Sequence, residues 1–333
     1  MYVIQNRVFS KGDPVKLETG DFITDINRWY RAYTDHIKVF GYSANTISMY
    51  MRIIDNFIEY SLLYQDEMSI VDIKSSYIVG FLSYLEDEAI KNGLKSKNLA
   101  KSSKQSYIKA IKGFFVFISD NNDELYSYER FFKHIKVVDT SQAFEKIDYL
   151  NNDEVDRFLD QIERAKGKSG SYGAYRNALL VKLMLYGGLR ISEALGVSLG
   201  SFDNIDEDLM YEIKIFAKGG KTQKAYIPKK FIDDELDYFT REALLSNNDP
   251  IMITGNKTVL NRVNAYTIVN RIYAKAMVRK TGLHVLRHTC AMQLTKKGVS
   301  VVDVQKILRH TNLNTTTVYA KATNQSIVKA MLQ

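Results

Sequence analysis

The chain has 333 residues, 45% hydrophobic and 25% charged, with a formal net charge of +8. This composition is that of ordinary globular proteins, the length suffices for two domains, and the positive charge favours a polyanionic partner. Because no apolar run approaches the roughly 20 residues of a membrane span, and the first residues lack the apolar core of a signal peptide, we expect a cytoplasmic protein without membrane contact.

The first half of the chain carries apolar residues at helical spacing in four segments. Predicted helices cover Phe22 to about Ile37, a segment after the N-cap candidate Ser43, roughly Ser75 to Lys91, and roughly Ser102 to Ser119. Four amphipathic helices can bury a compact core together. This half is therefore predicted to be a small helical domain.

The second half begins after a break in the apolar pattern between Val138 and Asp148, which is predicted to be an interdomain linker. Asn and Asp side chains between Leu150 and Glu154 mark a helix start. A further helix is predicted from about Tyr175 to Tyr186, ended by Gly187 and Gly188.

Strand periodicity follows these helices. Apolar and polar residues alternate from Leu209 to Ile215, and Lys224 to Pro228 forms the expected returning strand beyond a Gly-Gly turn. After Phe231 the pattern is again predicted to be helical to the end of the chain. The fold class is thus mainly α with a small β-sheet.

Groups suited to phosphate chemistry are spread over the second half. They lie in four segments, namely Gly188-Leu189-Arg190-Ile191-Ser192-Glu193, His284-Val285-Leu286-Arg287, Leu308-Arg309-His310, and Tyr319. The planar fork of arginine matches phosphate oxygens in a bidentate way. A tyrosine hydroxyl becomes a covalent nucleophile where positive groups surround it.

The order and spacing of these segments resemble the tyrosine recombinase family, also called phage-type integrases. The resemblance implies an enzyme in which a tyrosine attacks a DNA phosphodiester, leaving a 3′-phosphotyrosine and a free 5′-hydroxyl, without ATP, metal or cofactor. It implies as catalytic residues Arg190, Lys218, His284, Arg287, His310 and the nucleophile Tyr319.

The same resemblance implies a C-shaped clamp on DNA, made by an N-terminal helical core-binding (SAM-like) domain and a C-terminal α+β catalytic domain. The implied segments are an extension at 1–20, the core-binding domain at 21–137, the linker at 138–148, the catalytic domain at 149–319, and a tail at 320–333. In the family this tail packs on a neighbouring protomer. Docking on its own domain is the alternative.

Each assignment has a structural alternative. Arg190 is expected otherwise to pair with Glu193, which we expect to position the loop, and Arg287 with Asp303. An isolated histidine is ordinarily structural, and this is the alternative for His284 and His310. His288 is expected to support the catalytic residues without contacting the substrate. By composition alone, Tyr319 would be a core tyrosine, and its usual pKa near 10 keeps it protonated without a cationic pocket.

The lysine that protonates the leaving oxygen in the family lies on a β-hairpin. Lys218 fits that position best, but the hairpin is slightly longer than the usual pattern, so Lys221 and Lys224 remain candidates.

Arg309 stands where the family usually has glycine, and is expected to add a phosphate contact or to alter the turn. The lone Cys290 excludes an intramolecular disulfide and a Cys-based zinc site, and is predicted to be buried.

Two surfaces of the first half are predicted to contact DNA. One is Arg52, with Thr46 and Ser48. The other lies on the fourth helix and comprises Lys101, Ser102, Lys104, Gln105, Lys109 and Lys112. Lysines, small hydroxyls and helix N-termini suit phosphates, and glutamine can read a base edge. The alternative is a solvated helix face.

The predicted partners are double-stranded DNA with inverted-repeat recombinase sites and three further copies of the chain, forming a homo-tetramer on two duplexes that exchange strands through a Holliday junction. An accessory activator protein is a further candidate partner.

With about 20 residues before the first helix, the domain organisation resembles that of Xer recombinases that resolve chromosome dimers, or of a Xer-like integrase of a mobile element. Two other classes stay open: a non-catalytic helix-turn-helix protein using Val299 to Lys321, and a type IB topoisomerase acting as a monomer.

Overall fold

A computed structural model describes residues 15–64, 68–91, 99–133, 135, 148–205, 209–216 and 222–309. The chain divides into two compact units, Met1–Gln142 and Ala143–Gln333. Within the described residues, no helix combines the length and the apolar character needed to cross a bilayer. The predicted fold class, mainly helical with one small sheet, is confirmed.

The first unit consists of helices, as predicted. Their bounds are α1 Phe22–Val39, α2 Ala44–Leu62, α3 Ser75–Lys91, α4 Lys101–Asn121 and the short α5 Glu129–Phe132. Two caps explain where the first helices begin: the side chains of Asp21 and Ser43 accept hydrogen bonds from the backbone N–H groups of Thr24 and Thr46. The fourth helix starts one residue earlier than the sequence predicted.

The core of the first unit is strongly aromatic. Trp29, Phe57, Phe81 and Phe115 are all fully buried, and Phe57 meets the rings of both Phe81 and Phe115 edge-on. The indole N–H of Trp29 donates to the carbonyl of Leu17, so the buried polar atom is satisfied. The apolar faces predicted from helical spacing are the faces that form this core.

The second unit contains seven further helices within its described residues. They are α6 Asn152–Ser169, α7 Tyr172–Leu185, α8 Ile191–Leu195, α9 Asp233–Asp237, α10 Arg262–Lys275, α11 His284–Lys296 and α12 Val301–Leu308. Asn151 and Glu154 form a reciprocal capping box that starts α6. Helix α7 is buried on almost every side, and so it forms the centre of this unit.

The sheet has three antiparallel strands in the order β1 (Phe202–Ile205), β2 (Met210–Phe216) and β3 (Thr222–Pro228). The predicted pair β2 and β3 is confirmed, and Ile213 lies opposite Ala225 in it. The sequence analysis missed β1, because its four residues include Asp203 and Asn204, which disfavour strands.

The prediction of continuous helix after Phe231 is wrong. Helix α9 passes into a single π-helical turn at Tyr238–Glu242, and the next helix begins only at Arg262. Between them the backbone forms turns and two isolated bridges, Ser198 with Pro250 and Ile253 with Val259. Asn, Asp, Pro and Gly residues in this stretch favour turns, and they outweigh its scattered apolar residues.

Buried charges join three helices of the second unit. The ammonium groups of Lys166 and Lys182 lie 2.6 and 2.7 Å from Oε1 of Glu235, which is fully buried. Glu163 and Asp234 complete this lysine–carboxylate network. The three carboxylates lie close enough together to share a metal ion, but the lysine ammonium groups already supply the positive charge between them. The network therefore ties α6, α7 and α9 together.

Candidate active site

Gly187 and Gly188, here called the double-glycine turn, connect the end of α7 to the segment that carries Arg190. Gly188 has a φ of +59°, a region that favours glycine. A Cβ atom there would lie 2.7 Å from Leu308 and 3.3 Å from the sulfur of Cys290. A larger residue would have to displace the side chain of Leu308 and would also be strained by the positive φ, so glycine suits this turn.

Arg190 caps α8 and is held by two acceptors. Its Nη1 donates to Oε1 of Glu193 at 2.7 Å, and its Nη2 donates to the carbonyl oxygen of Arg309 at 2.8 Å. The pairing with Glu193, expected as the structural alternative, is therefore present. The side chain is still 37% exposed, which leaves part of the guanidinium open to a phosphate.

Arg287 lies on the first turn of α11 and is almost completely buried. Its two Nη groups donate to the carbonyl oxygens of Gly188 and Leu308. The expected alternative partner, Asp303, accepts hydrogen bonds from Ser300 and Lys306 on its own helix. The structure thus orients Arg287 through backbone carbonyls at the junction of the double-glycine turn and α12.

His284 opens α11 one turn before Arg287, so both side chains lie on one helix face. Its imidazole still reaches solvent. The atoms packed around it, followed by the charges of Arg262, Arg287 and Arg190, lower its pKa below the usual value of 6.5. A position at a helix N-terminus acts in the same direction. The ring is therefore neutral at neutral pH, and a neutral imidazole can accept a proton.

His288 follows one turn later, with its ring centroid 6.4 Å from that of His284. Burial, then His284 and Arg287, lower its pKa, while Asp148 acts in the opposite direction.

Cys290, two residues on, is buried as predicted, and burial raises the pKa of its thiol to about 11. An almost fully protonated thiol of this kind is a packing residue.

The side chain of Arg309 points into the second unit and is almost completely buried. Its guanidinium lies 2.8 Å from Oε2 of Glu193 and also donates to the carbonyls of Ile307 and Gly188. Burial alone would raise the pKa of the Glu193 carboxyl. The charge of Arg309 and hydrogen bonds from Arg190 and Arg309 outweigh it and hold that pKa below its usual range. In this structure Glu193 is an ionised bridge between two arginines.

Of the three candidate lysines, Lys224 is described. It lies on β3 and its ammonium is 2.9 Å from Glu212 on β2, a contact that raises its pKa. Lys218 and Lys221 belong to the link at 217–221, which lies outside the described residues. His310, Tyr319 and the tail at 320–333 also lie outside them.

The predicted DNA surfaces of the first unit lie on α2 and α4. Ser102, Gln105, Lys109 and Lys112 are exposed and follow one face of α4, and Arg52 is exposed on α2, which packs against α4. Lys104 instead lies 2.7 Å from Glu86 on α3, and Lys101 is partly buried and has an interaction of its own. The exposed face therefore contains four of the six predicted α4 residues.

The sequence analysis missed the effect of the Arg262 charge on the pKa of His284 and the inward course of the Arg309 side chain. No local pattern marks Arg262, because it lies on a different helix, α10. For Arg309 there was a signal, an arginine in place of the usual glycine at a helix end, but its direction depends on a left-handed φ of +56° that the sequence does not reveal.

Two sequence comparisons identify the family that this chain matches. Residues 148–326 match the sequence model of the Phage integrase family. The tyrosine recombinase XerH of Campylobacter jejuni is 31% identical over 258 residues, which cover 74% of this chain and 70% of that protein.

Two solved structures share the fold. The crystal structure of XerH site-specific recombinase in a post-cleavage complex with palindromic difH substrate superposes with a TM-score of 0.78 at 22% identity, over 96% of this chain and 99% of that one. A lambda integrase tetramer bound to a Holliday junction superposes with a TM-score of 0.61 at 16% identity, over 88% of this chain and 76% of that one.

Proposed function

This chain belongs to the Phage integrase family and is a Xer-like tyrosine recombinase, and from that premise we propose that Tyr319 cleaves DNA through a 3′-phosphotyrosine intermediate. The bond between the Tyr319 oxygen and phosphorus forms while the bond from phosphorus to the 5′-oxygen breaks. The freed 5′-oxygen takes up a proton. Rejoining reverses these steps with the 5′-hydroxyl of another strand, so the bond energy is conserved.

One observation carries this proposal. Arg190 and Arg287 are far apart in the sequence, yet they donate hydrogen bonds to the adjacent carbonyl oxygens of Arg309 and Leu308. Those carbonyls immediately precede His310 in the chain. The arrangement brings two guanidiniums to the segment that leads to the second histidine and the nucleophile. A non-catalytic DNA-binding protein has no need of it.

The arginines are assigned to the transition state. A diester under attack gathers negative charge on its two non-bridging oxygens, and each fixed donor aimed at them contributes about 3 kcal/mol. The backbone and Glu193 contacts hold Arg190 and Arg287 in place before the substrate arrives, so little reorganisation is needed. We assign His284, with its neutral ring, to accept the Tyr319 proton or to bind a phosphate oxygen, and His310 to donate to the phosphate.

Lys218 is assigned as the acid that protonates the leaving oxygen, with Lys221 second. Lys224 is the weakest of the three candidates, because its ion pair with Glu212 raises its pKa and so makes it a poorer proton donor. A substrate with sulfur at the 5′-bridging position distinguishes them, since a thiolate leaves without protonation. Alanine at the true acid should abolish cleavage of the oxygen substrate and spare the sulfur substrate. Arg190→Ala should impair both.

The exposed face of α4, with Arg52, is assigned to hold DNA through phosphates, and Gln105 to contact a base edge. Loss of one phosphate contact lowers the slope of log affinity against log salt by about one. Lys109→Ala and Lys112→Ala should each show that change. Lys104→Ala serves as the matched control, because Lys104 is already paired with Glu86.

For the biological role we propose recombination at inverted-repeat sites by a homo-tetramer on two duplexes, with resolution of chromosome dimers as the first candidate. The XerH and lambda integrase structures, a DNA complex and a tetramer on a Holliday junction, motivate this assembly. Integration or excision of a mobile element is the second candidate. We propose that the tail at 320–333 docks on a neighbouring protomer.

Selection of bound genomic fragments tests the role. Tyr319→Phe should bind its target sites without cleaving them. Genomic fragments that carry such a site should therefore stay bound to a column of the immobilised variant. One enriched palindromic site near the replication terminus would support dimer resolution, whereas sites at the two ends of an element would support integration. Enrichment without any shared sequence would contradict site-specific recombination.

A further inference from the structure

The strongest unassigned feature is the side chain of Arg309, which ends α12 in the left-handed region at φ +56°. That region favours glycine. Its Nη2 lies 2.8 Å from Oε2 of Glu193 and its Nη1 lies 2.8 Å from the carbonyl of Ile307. The contacts hold the guanidinium firmly inside the unit.

Glu193 is shared between Arg309 and Arg190. Its Oε1 accepts from the Arg190 guanidinium at 2.7 Å, and its Oε2 accepts from the Arg190 backbone N–H at 2.8 Å, beside the contact to Arg309. The carbonyl of residue 309 accepts from Nη2 of Arg190. Residue 309 therefore holds Arg190 from two directions, once directly and once through Glu193.

The same contacts argue against a direct role for Arg309 on DNA. Its side chain is 7% exposed and Glu193 is 4% exposed, whereas Arg190 is 37% exposed. To reach a phosphate, Arg309 would have to break a buried ion pair and leave Glu193 with less compensation. Of the two roles expected from the sequence, the geometry favours the one within the turn.

We propose that Arg309 is a positioning residue for DNA cleavage: it fixes the Glu193 carboxylate, which in turn fixes the guanidinium of Arg190. This inference rests on the proposed function of Arg190. In this chain the arginine side chain adds a brace that a glycine cannot supply.

Arg309→Gly is the informative variant, because glycine adopts the left-handed backbone conformation at this position without strain. Arg309→Lys is its matched control, since it keeps the charge but not the planar fork. Single-turnover cleavage of a nicked duplex carrying the selected target site is measured beside equilibrium binding across a range of salt. We expect Arg309→Gly to cleave about 10–100-fold more slowly with unchanged affinity and salt slope, and Arg309→Lys to recover part of the rate.

A cycle with Glu193→Gln tests the route of the effect. If Arg309 acts through Glu193, the double variant Glu193→Gln with Arg309→Gly should be no slower than Glu193→Gln alone. Additive losses would overturn the proposal. So would wild-type cleavage by Arg309→Gly, or a salt slope reduced by about one, which indicates a direct phosphate contact. An adduct absent even with the wild type would overturn the proposed function, and this inference with it.

Discussion

Two clusters of buried charge lie in the second unit, and their composition differs. The lysine–carboxylate network has two ammonium groups and three carboxylates, with Glu235 fully buried at its centre. In the arginine cluster, Arg190 and Arg309 share the carboxylate of Glu193. Arg287 joins them through the carbonyl oxygen of Gly188, which Arg309 also contacts. The first cluster has enough negative charge to balance its cations. Among the ion pairs of the described residues, the second cluster has two arginines on one carboxylate.

This difference is the one that we expect between a structural cluster and a catalytic one. Burying a charge is costly unless a partner compensates it, so a network that only stabilises a fold supplies its own counter-charges. An excess of positive charge that is partly open to solvent is compensated when an anion binds. For the arginine cluster, we propose that this anion is a DNA phosphate. Both clusters contain short ion pairs, and so the pairs alone do not reveal which one acts on a substrate.

Removing the central carboxylate of the network should have the largest effect. Glu235→Gln leaves Lys166 and Lys182 with reduced compensation, and we expect the free energy of unfolding of the second unit to fall by about 3–5 kcal/mol. Urea unfolding followed by circular dichroism measures it, while the fluorescence of Trp29, the sole tryptophan, follows the first unit.

The control for this variant is Asp203→Asn, which removes an exposed ion pair of similar length with Lys214. Exposed pairs contribute about 0–1 kcal/mol. Cleavage per folded molecule should not change in either variant. A loss below 1 kcal/mol for Glu235→Gln would show that the network does not hold the helices together.

Arg190→Ala should lower cleavage strongly and stability only weakly, the reverse of the result expected for Glu235→Gln. We expect cleavage to fall by about 10²–10³-fold or more, because a transition-state donor is lost. The free energy of unfolding should fall by less than in Glu235→Gln, because Glu193 keeps its ion pair with Arg309. Arg287→Ala should show a similar loss of cleavage. Single-turnover rates and urea unfolding of the same samples would separate the two effects, and near-normal cleavage would assign that arginine to the fold.

The smallest effect concerns the titration of His284. The positive charge of Arg262 disfavours the imidazolium, so Arg262→Gln should raise the pKa of His284 toward 6.5. NMR titration of the His284 ring should place the wild-type midpoint below 6.5 and the variant midpoint higher. If neutral His284 is required for cleavage, the acid limb of the rate profile should move to higher pH with it. A midpoint unmoved by the substitution would remove Arg262 from the site.

Periodic elements were predicted well because their signals are local. The third helix matches its predicted span of Ser75 to Lys91, and the cap at Ser43 lies where the sequence placed it. The strand β1 and the turns after Glu242 were not predicted. Their residues have weak local preferences, and they take their conformation from pairing with β2 and from the Ser198 and Val259 bridges.

The site shows the same division. Motif spacing predicted roles for Arg190, His284 and Arg287, and the structure brings Arg190 and Arg287 to adjacent carbonyls. The shared acceptor at Gly188 and the inward Arg309 could not be predicted, because they depend on a left-handed residue and on contacts between distant segments. The predicted roles of Lys218, His310 and Tyr319 lie on residues outside the described structure and remain predictions.

The most direct test compares wild type with Tyr319→Phe on a duplex nicked beside the cleavage point, so that the short strand diffuses away and the covalent product accumulates. The target is taken from the selection with Tyr319→Phe, and products are separated on a denaturing gel. The account predicts a protein adduct at the 3′ end of the cleaved strand with the wild type and none with Tyr319→Phe. An adduct that persists with Tyr319→Phe, or none with the wild type despite tight binding, would contradict it.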